Sequence, residues 1–256
     1  MKQRLTVVVL TRNEEENIAD CLKSVAWADE LIVLDSFSDD RTVEIARENG
    51  ARVVQHPFEN WAVQRDYGLQ LPENEWLFFV DADERGTPEL AQEVLQVIQE
   101  DSPVGWWVPR RNYIWGKWIR HAGWSPDYQL RLLRRDKAHY DPTREVHEVV
   151  ILDGEEGFLE NTLTHYNYHT VAQFLSKQDF YSSYEADILF KQGIRPKPYT
   201  FLLQPIREFW RRYVKLEGYK DGGHGLLLSL LLGYYTFLTY LRLRNLVRNV
   251  GRGRAS

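Results

Sequence analysis

Carboxylates placed where apolar runs end are the first residues in this chain whose types and spacing suggest chemistry. Asp81 and Asp83 follow Trp76-Leu77-Phe78-Phe79-Val80. Residues two apart in an extended segment face the same side, so the two can present oxygen donors together. Paired hard oxygens suit Mg²⁺ or Mn²⁺, ions that keep part of their water shell and bridge to substrate phosphates. Asp35 closes Leu31-Ile32-Val33-Leu34, where a carboxylate can accept hydrogen bonds from a base or a ribose, and Thr11-Arg12-Asn13-Glu14 closes the run Leu5 to Leu10. Each has a plainer alternative. Asp-x-Asp after a strand is ordinary loop chemistry, and Asp35 is equally a turn residue, with Asp39 or Asp40 better placed to cap a helix opening at Thr42.

Positioning these groups requires strands that deliver them to one edge. The first hundred residues alternate in the βα manner: Leu5 to Leu10 is β-branched and apolar, Glu14 to Val25 carries Ile18, Cys21, Leu22 and Val25 at helical spacing, and Leu31 to Leu34 is apolar again. A short helix from Thr42 to Asn49 stops at Gly50, Ala51 to Val54 and Trp76 to Val80 are further strands, and Thr87-Pro88 opens a helix. Continuous apolar strands alternating with helices predict an α/β fold whose parallel sheet is buried on both faces, with its site at the carboxyl ends of the strands. No G-x-G-x-x-G or Walker loop follows the first strand, which disfavours dinucleotide enzymes and P-loop ATPases.

From Val104 to Tyr168 the chain changes to short aromatic-rich runs broken by Gly, Pro and Asp, read as a smaller mixed-strand half. Val171 to Phe190 is helical in pattern, and residues 192–198 form a breaker-rich linker. The expected organisation is a domain over 1–198, divided at 103/104, followed by a helical tail over 199–256.

Composition bounds the rest. With 256 residues, 43% hydrophobic and 27% charged, the chain is globular, and its single cysteine, Cys21, excludes an intramolecular disulfide and favours a reducing cytosolic setting. The apolar run at the N-terminus is short and lacks a cleavage signature, so it reads as a strand. The net charge of −5 is unevenly spread: residues 207–256 hold ten Lys/Arg and three Asp/Glu, against 22 and 34 in the remainder. An acidic body argues against nucleic-acid binding, and a basic tail suggests an anionic partner.

Taken in order, Thr11-Arg12-Asn13-Glu14-Glu15, Ala28-Asp29-Glu30 leading to Asp35-Ser36-Phe37-Ser38-Asp39-Asp40-Arg41-Thr42, Gln64-Arg65-Asp66-Tyr67-Gly68 and Asp81-Ala82-Asp83-Glu84 resemble the family 2 glycosyltransferases of GT-A fold. The similarity runs over roughly residues 5 to 240 and points to the lipopolysaccharide-core glucosyltransferase branch. It implies inverting transfer from a nucleotide-sugar donor, with Mg²⁺ or Mn²⁺ held by Asp83 and Asp81. It further implies that Thr11, Asn13 and Glu14 line the nucleotide pocket, that Asp35 meets the base, that Gln64 and Arg65 sit by base or phosphates, and that Asp81 reaches the ribose. Without the resemblance, Gln64 and Arg65 read equally as a solvated helix face.

Inverting transfer needs a base to take the acceptor proton. Within Arg144-Glu145-Val146-His147-Glu148, the Val-His-Glu triplet matches similar proteins, making Glu148 the first candidate and Glu145 the second, with His147 orienting phosphate or acceptor; a charged surface strand is the plain alternative. On the acceptor side, Trp124 is suited to stack on a sugar, Asp127 and Gln129 to bond its hydroxyls, and Arg131 or Arg134 to meet phosphate. The other readings open at this stage are a nucleotidyltransferase and a non-catalytic nucleotide-sugar-binding protein.

The tail contains 17 consecutive uncharged residues, Gly225 to Leu241, with Gly225, Ser229 and Gly233 in a small-residue stripe. Such a helix reaches about 25 Å, short of a bilayer core. Upstream, Leu202, Ile206, Phe209, Tyr213 and Leu216 share one helical side beside Arg207, Arg211 and Lys215. The expectation is peripheral or monotopic contact with the anionic cytoplasmic face of a cell membrane, with a re-entrant or short spanning helix as the variant and a buried bundle helix as the alternative. A glycolipid or oligosaccharide acceptor fits that placement.

Overall fold

The computed structural model describes residues 3–140 and 150–253, which divide into two compact units. The first takes residues up to 111 together with 127–166, and the second takes 112–126 and the chain from 167 onward. The second unit is therefore larger than the expected tail beyond residue 198: it also takes in the long helix after residue 170 and an excursion from the middle of the chain.

The first unit opens with β1 (Leu5–Thr11), α1 (Ile18–Ser24), β2 (Glu30–Asp35), α2 (Thr42–Glu48), β3 (Arg52–Gln55), α3 (Trp61–Gln70) and β4 (Trp76–Asp81). It continues through β5 (Glu84–Gly86), α4 (Pro88–Val97) and β6 (Gly105–Ile114); β7 (Lys117–Trp118) lies in the excursion, and β8 (Tyr128–Arg134), β9 (Ala138–Tyr140), β10 (Val150–Leu152), β11 (Glu156–Phe158) and β12 (Leu163–Tyr168) complete the strands. The main sheet runs β3-β2-β1-β4-β8-β6-β12-β5. Its first four strands are parallel, and β8 joins β4 antiparallel, which is the parallel sheet with a mixed extension that the sequence predicts.

Alternation along β1 shows why the strands carry few charges. Leu5, Val7 and Val9 pack with α1, α2 and α4 residues such as Leu22, Ala46 and Val94. Val8 and Leu10 face the opposite core with Ala62 and Leu69 of α3. Both faces are covered, so from Leu5 to Leu10 the strand is apolar whichever way a residue points, except at Thr6, whose buried hydroxyl finds a partner by donating to Glu30 at 2.8 Å. On β4, Trp76, Phe78 and Phe79 are wholly buried, and a buried side chain of this class contributes about 1.5–3 kcal/mol. Thr87 caps α4 as expected, its hydroxyl accepting from Leu90 N at 3.2 Å with Pro88 in the first turn.

The second unit is built from α5 (Val171–Lys191), α6 (Thr200–Trp210) and α7 (Gly223–Gly253). A π-helical turn, Arg211–Lys215, and a 3₁₀ turn, Gly218–Asp221, link the last two. The small-residue stripe acts as predicted: a side chain on Gly233 would lie 3.1 Å from Pro205 O on α6, and one on Gly225 would lie 1.8 Å from Gly218 O. Asp221 is buried and fastens the excursion, accepting from His121 N at 2.8 Å and Arg120 N at 3.3 Å, while its own carbonyl accepts from Lys117 Nζ at 2.6 Å.

Candidate active site

The loops leaving β1 and β2 interlock. Asn13 has a left-handed backbone (φ 55°), which asparagine tolerates, and donates its N–H to Ser38 Oγ at 2.8 Å while its side-chain oxygen accepts from Asp39 N at 3.0 Å. Glu14 N donates to Thr42 Oγ1 at 2.8 Å and Glu15 N to Asp40 Oδ2 at 3.1 Å. Asp40 also accepts from Thr42 N at 2.9 Å, so the expected capping carboxylate is in place at the start of α2.

Asp35 is fully buried and its carboxylate serves this loop, accepting from Ser38 N at 3.0 Å, Gln55 Nε2 at 3.0 Å and the Ser38 hydroxyl. These three donors give Asp35 the turn role that the sequence offers as its alternative. Gln64 and Arg65 differ in the other direction. Neither lies on a solvated face: both are buried, with Gln64 Nε2 donating to Ser36 Oγ at 3.1 Å and its carbonyl 2.9 Å from His56 Nδ1. Thr11 keeps a buried hydroxyl with no hydrogen-bond partner among the described residues.

At the end of β4 lies a centre of opposed charges from five elements or their edges. Asp81 receives Arg131 Nη2 at 2.5 Å from β8 and Arg65 Nη2 at 3.2 Å from α3. Arg110 on β6 meets Glu84 at 3.0 Å and Asp127 at 2.8 Å, and Glu84, wholly buried, accepts from Asp81 N at 2.9 Å. Arg131 takes its position from a β-bulge: Trp106 pairs with Leu132 but Trp107 with Leu130, leaving Arg131 as the extra residue on β8. Burial alone raises the Asp81 carboxyl, but Arg131, then Arg65 and Arg110, outweigh it and hold it well below the usual carboxylate range. Burial likewise opposes the charge on Arg131, and Asp81 and Glu84 more than restore it.

Asp83 does not join that centre. Ala82 and Asp83 form a turn between β4 and β5, so the extended Asp-x-Asp geometry predicted from spacing is absent and the two carboxylates have different neighbours. β12 pairs antiparallel with β5, His165 opposite Glu84, and this register brings His165 Nε2 to 3.4 Å from Asp83 Oδ2. No group of three or more His, Cys, Asp or Glu gathers for a metal among the described residues. A carboxylate with an imidazole nitrogen beside it nonetheless fits an ion that keeps waters and completes its shell on substrate phosphate oxygens. Asp81, committed to two guanidiniums, is a weaker donor than the sequence suggests.

Beside the charge centre is a cleft of ≈ 530 Å³ lined by Arg65, Arg131, Gln129, Trp107, Tyr140 and Glu156, among others. Gln129 Nε2 donates to Asp127 Oδ1 at 2.9 Å, so these two predicted acceptor residues stand together, with Asp127 held by Arg110. Arg131, predicted for the acceptor side, is instead the main partner of Asp81. Arg134 pairs with Glu75 at 2.5 Å. Trp124 packs against the second unit's core, half-buried and edge-on to Tyr168 at 6.3 Å. Trp107 was not singled out by the sequence; its ring stacks with the exposed Phe158 at 6.1 Å and its Nε1 donates to Glu156 at 2.7 Å. Arg110 and His165 also carry no local signal, since each acquires its partner through strand pairing. Glu145, His147 and Glu148 lie outside the described residues.

A family model described as "Glycosyl transferase family 2" matches residues 6–152, from β1 through β10. The chain is similar to the lipopolysaccharide core biosynthesis glycosyltransferase LpsC of Rhizobium meliloti (strain 1021), 29% identical over 252 residues that cover 93% of this chain and 91% of that one. It is also similar to an uncharacterized glycosyltransferase of Rickettsia bellii (strain RML369-C), 26% identical over 262 residues and covering 96% and 88%. Among solved structures, mannosyl-3-phosphoglycerate synthase from Rubrobacter xylanophilus superposes with a TM-score of 0.47 at 15% identity, over 78% of this chain and 80% of that one. The family match spans more than half of the chain and contains the charge centre, the Asp83 turn and the interlocked loops, so the chain belongs to glycosyl transferase family 2 and is a glycosyltransferase.

Proposed function

We propose that this glycosyltransferase moves a sugar, with inversion, from a nucleotide-sugar donor to a cell-envelope glycolipid or lipopolysaccharide-core type acceptor at the cytoplasmic face of the membrane. The observation that carries the reading is the division of labour at the β4 edge: Asp81 fixes Arg131 and Arg65, two residues that line a cleft, while Asp83 meets His165. The 29% identity to a lipopolysaccharide core glycosyltransferase supports the acceptor class.

In this reading the sugar's anomeric carbon forms a bond to the acceptor oxygen as its bond to the diphosphate oxygen breaks. The acceptor proton passes to a carboxylate, Glu148 first and Glu145 second, and the nucleoside diphosphate departs. Arg65 and Arg131 stabilise the charge that grows on the departing diphosphate, since guanidinium N–H groups bond phosphate oxygens in a fixed fork. Asp81 holds both guanidiniums in place before the donor arrives, so little reorganisation is needed at the moment of reaction. Thr11 supplies a spare hydroxyl at the end of β1. Asp83, with His165, would hold Mg²⁺ or Mn²⁺, which when bound neutralises the diphosphate as a Lewis acid. Gln129, Asp127 and Trp107 form the acceptor wall.

The test is a panel of nucleotide sugars with Mn²⁺ or Mg²⁺, read by thermal stabilisation and by slow donor hydrolysis. Asp83→Ala is expected to lose at least about 100-fold in turnover and the metal-dependent part of nucleotide binding, with an unchanged melting temperature. Full activity in that variant removes the metal assignment. Release of pyrophosphate in place of nucleoside diphosphate would favour nucleotidyl transfer.

A further inference from the structure

In the second unit, α6 leaves an apolar side uncovered. At about 100° per residue, Tyr199, Leu202, Leu203, Ile206 and Trp210 fall within an arc of about 100°. All five are exposed, Leu202 at 65% and Trp210 at 55%. The opposite side of α6 is the packed one, where Pro205 and Phe209 meet Gly233 and Phe201 meets Phe237 at 6.4 Å. Arg207 and Arg211, both exposed, border the apolar arc on one flank. On α7, Leu226, Leu227, Leu230 and Tyr234 form a second exposed arc, and Arg248 continues the same line toward the C-terminus.

α7 itself passes the test of length and composition for crossing a membrane over Gly223–Asn249, at a mean hydropathy of 1.4. Its contacts argue for a different role. Tyr235 Oη donates to Leu175 O at 2.9 Å, Thr239 Oγ1 to Glu185 at 3.4 Å, and Arg242 forms an ion pair with Asp179. These bonds lash α7 along α5, whose other face carries Lys177, Asp187 and Lys191, all exposed. Taking α7 across a bilayer in this arrangement would carry those charges into hydrocarbon, at a cost of several kcal/mol.

We propose that the exposed arcs of α6 and α7 are a docking surface for an anionic lipid bilayer, with α6 lying in the plane of the interface. Leucine and isoleucine supply the inserted hydrocarbon, Tyr199, Trp210 and Tyr234 are of the type that settles at headgroup depth, and the flanking arginines meet lipid phosphate. The charge of the tail selects this occupant: residues 207–256 hold ten Lys/Arg against three Asp/Glu, which complements an acidic leaflet and repels a second copy of the same face.

Flotation of the full chain with vesicles decides the matter, and it needs neither donor nor acceptor, so its outcome is separate from that of the transfer reaction. Vesicles of phosphatidylcholine with about 30% phosphatidylglycerol are expected to carry the protein, and pure phosphatidylcholine vesicles to carry at most about a tenth as much. The double substitution Leu202→Glu and Ile206→Glu should reduce binding about tenfold or more while leaving the melting temperature unchanged, and Arg207→Glu should reduce it less and chiefly at low salt. Failure of the unaltered protein to float overturns the proposal, as does equal flotation of the double variant. Sedimentation velocity without lipid gives the remaining outcome: a dimer that the double substitution dissolves assigns the face to a second copy and overturns the bilayer.

Discussion

Arg131 in the first unit and Leu202 in the second reverse the usual partition of side chains, one a guanidinium 4% exposed and the other a leucine 65% exposed. In the first unit the departure is compensated internally: Arg131, Arg65 and Arg110 each face a carboxylate, so charges are concentrated in a sheet edge otherwise made of Val, Leu and Phe. In the second the departure has no internal compensation among the described residues, and the apolar arcs of α6 and α7 are left to whatever meets them. A fold can thus hold reactive groups rigid by enclosing opposite charges, or it can leave a surface unfinished for an external partner. The two unusual features differ in kind: one encloses opposite charges within a sheet edge, the other leaves apolar side chains at the surface.

The comparison breaks most readily at Asp81. Asp81→Ala leaves Arg131 and Arg65 facing each other in a poorly solvated place, and the expected loss is about 3–5 kcal/mol of unfolding free energy by urea titration. The sign with pH follows from its lowered carboxyl: the stabilisation is complete above the unfolded-state pKa of about 3.9 and is lost as pH falls below it toward the folded value. The variant should therefore show a flatter acid limb than the unaltered protein; parallel limbs would mean that Asp81 is not the stabilised ion.

In the second unit, stability should depend on close approach more than on charge. Gly225→Ala puts a methyl group 1.8 Å from the carbonyl of Gly218, so backbone must shift, at an expected cost of about 2–3 kcal/mol by thermal denaturation. A smaller effect, about 1–3 kcal/mol, is expected for Asp221→Ala, which strands the N–H groups of Arg120 and His121; hydrogen exchange at those two amides should accelerate first. The smallest effect sharpens the contrast. Leu202→Glu with Ile206→Glu should stay within about 0.5 kcal/mol of the unaltered protein, because neither side chain contributes to the packed interior. A loss as large as that of Gly225→Ala would show that the α6 arc is covered in solution.

Much of the fold was legible because periodicity is local. The β-branched runs of β1, β2 and β4, the Thr87-Pro88 helix start and the Gly225, Ser229, Gly233 stripe each announce themselves within a few residues, and each appears where expected. Spacing picks out Asp81 and Asp83 as carboxylates at a strand end, but not the side chains that surround them. Arg110 and His165 acquire their partners only through strand pairing, and Arg131 its place through a bulge, which no spacing rule encodes. The turn at Ala82-Asp83 overrode the alternation that spacing suggested, since β4 ends at Asp81 and β5 begins only at Glu84. Polar residues on a helix are ordinarily solvated, yet Gln64 and Arg65 of α3 are both buried, Arg65 on the wall of the cleft. Trp124 is ambiguous for a similar reason: tryptophan is equally at home against a sugar and against Tyr168, which it meets edge-on.

The Asp221 fastening carries a consequence for how this chain can be cut and joined. Because residues 112–126 belong with the C-terminal helices, the backbone passes from one unit to the other three times, and the units are not beads on a string. A chain ended near residue 198 would retain Lys117, Arg120 and His121 without the carboxylate and carbonyl that they grip. Exchanging the C-terminal helices between related enzymes therefore requires transplanting two separate pieces of sequence together, the short excursion along with the long tail.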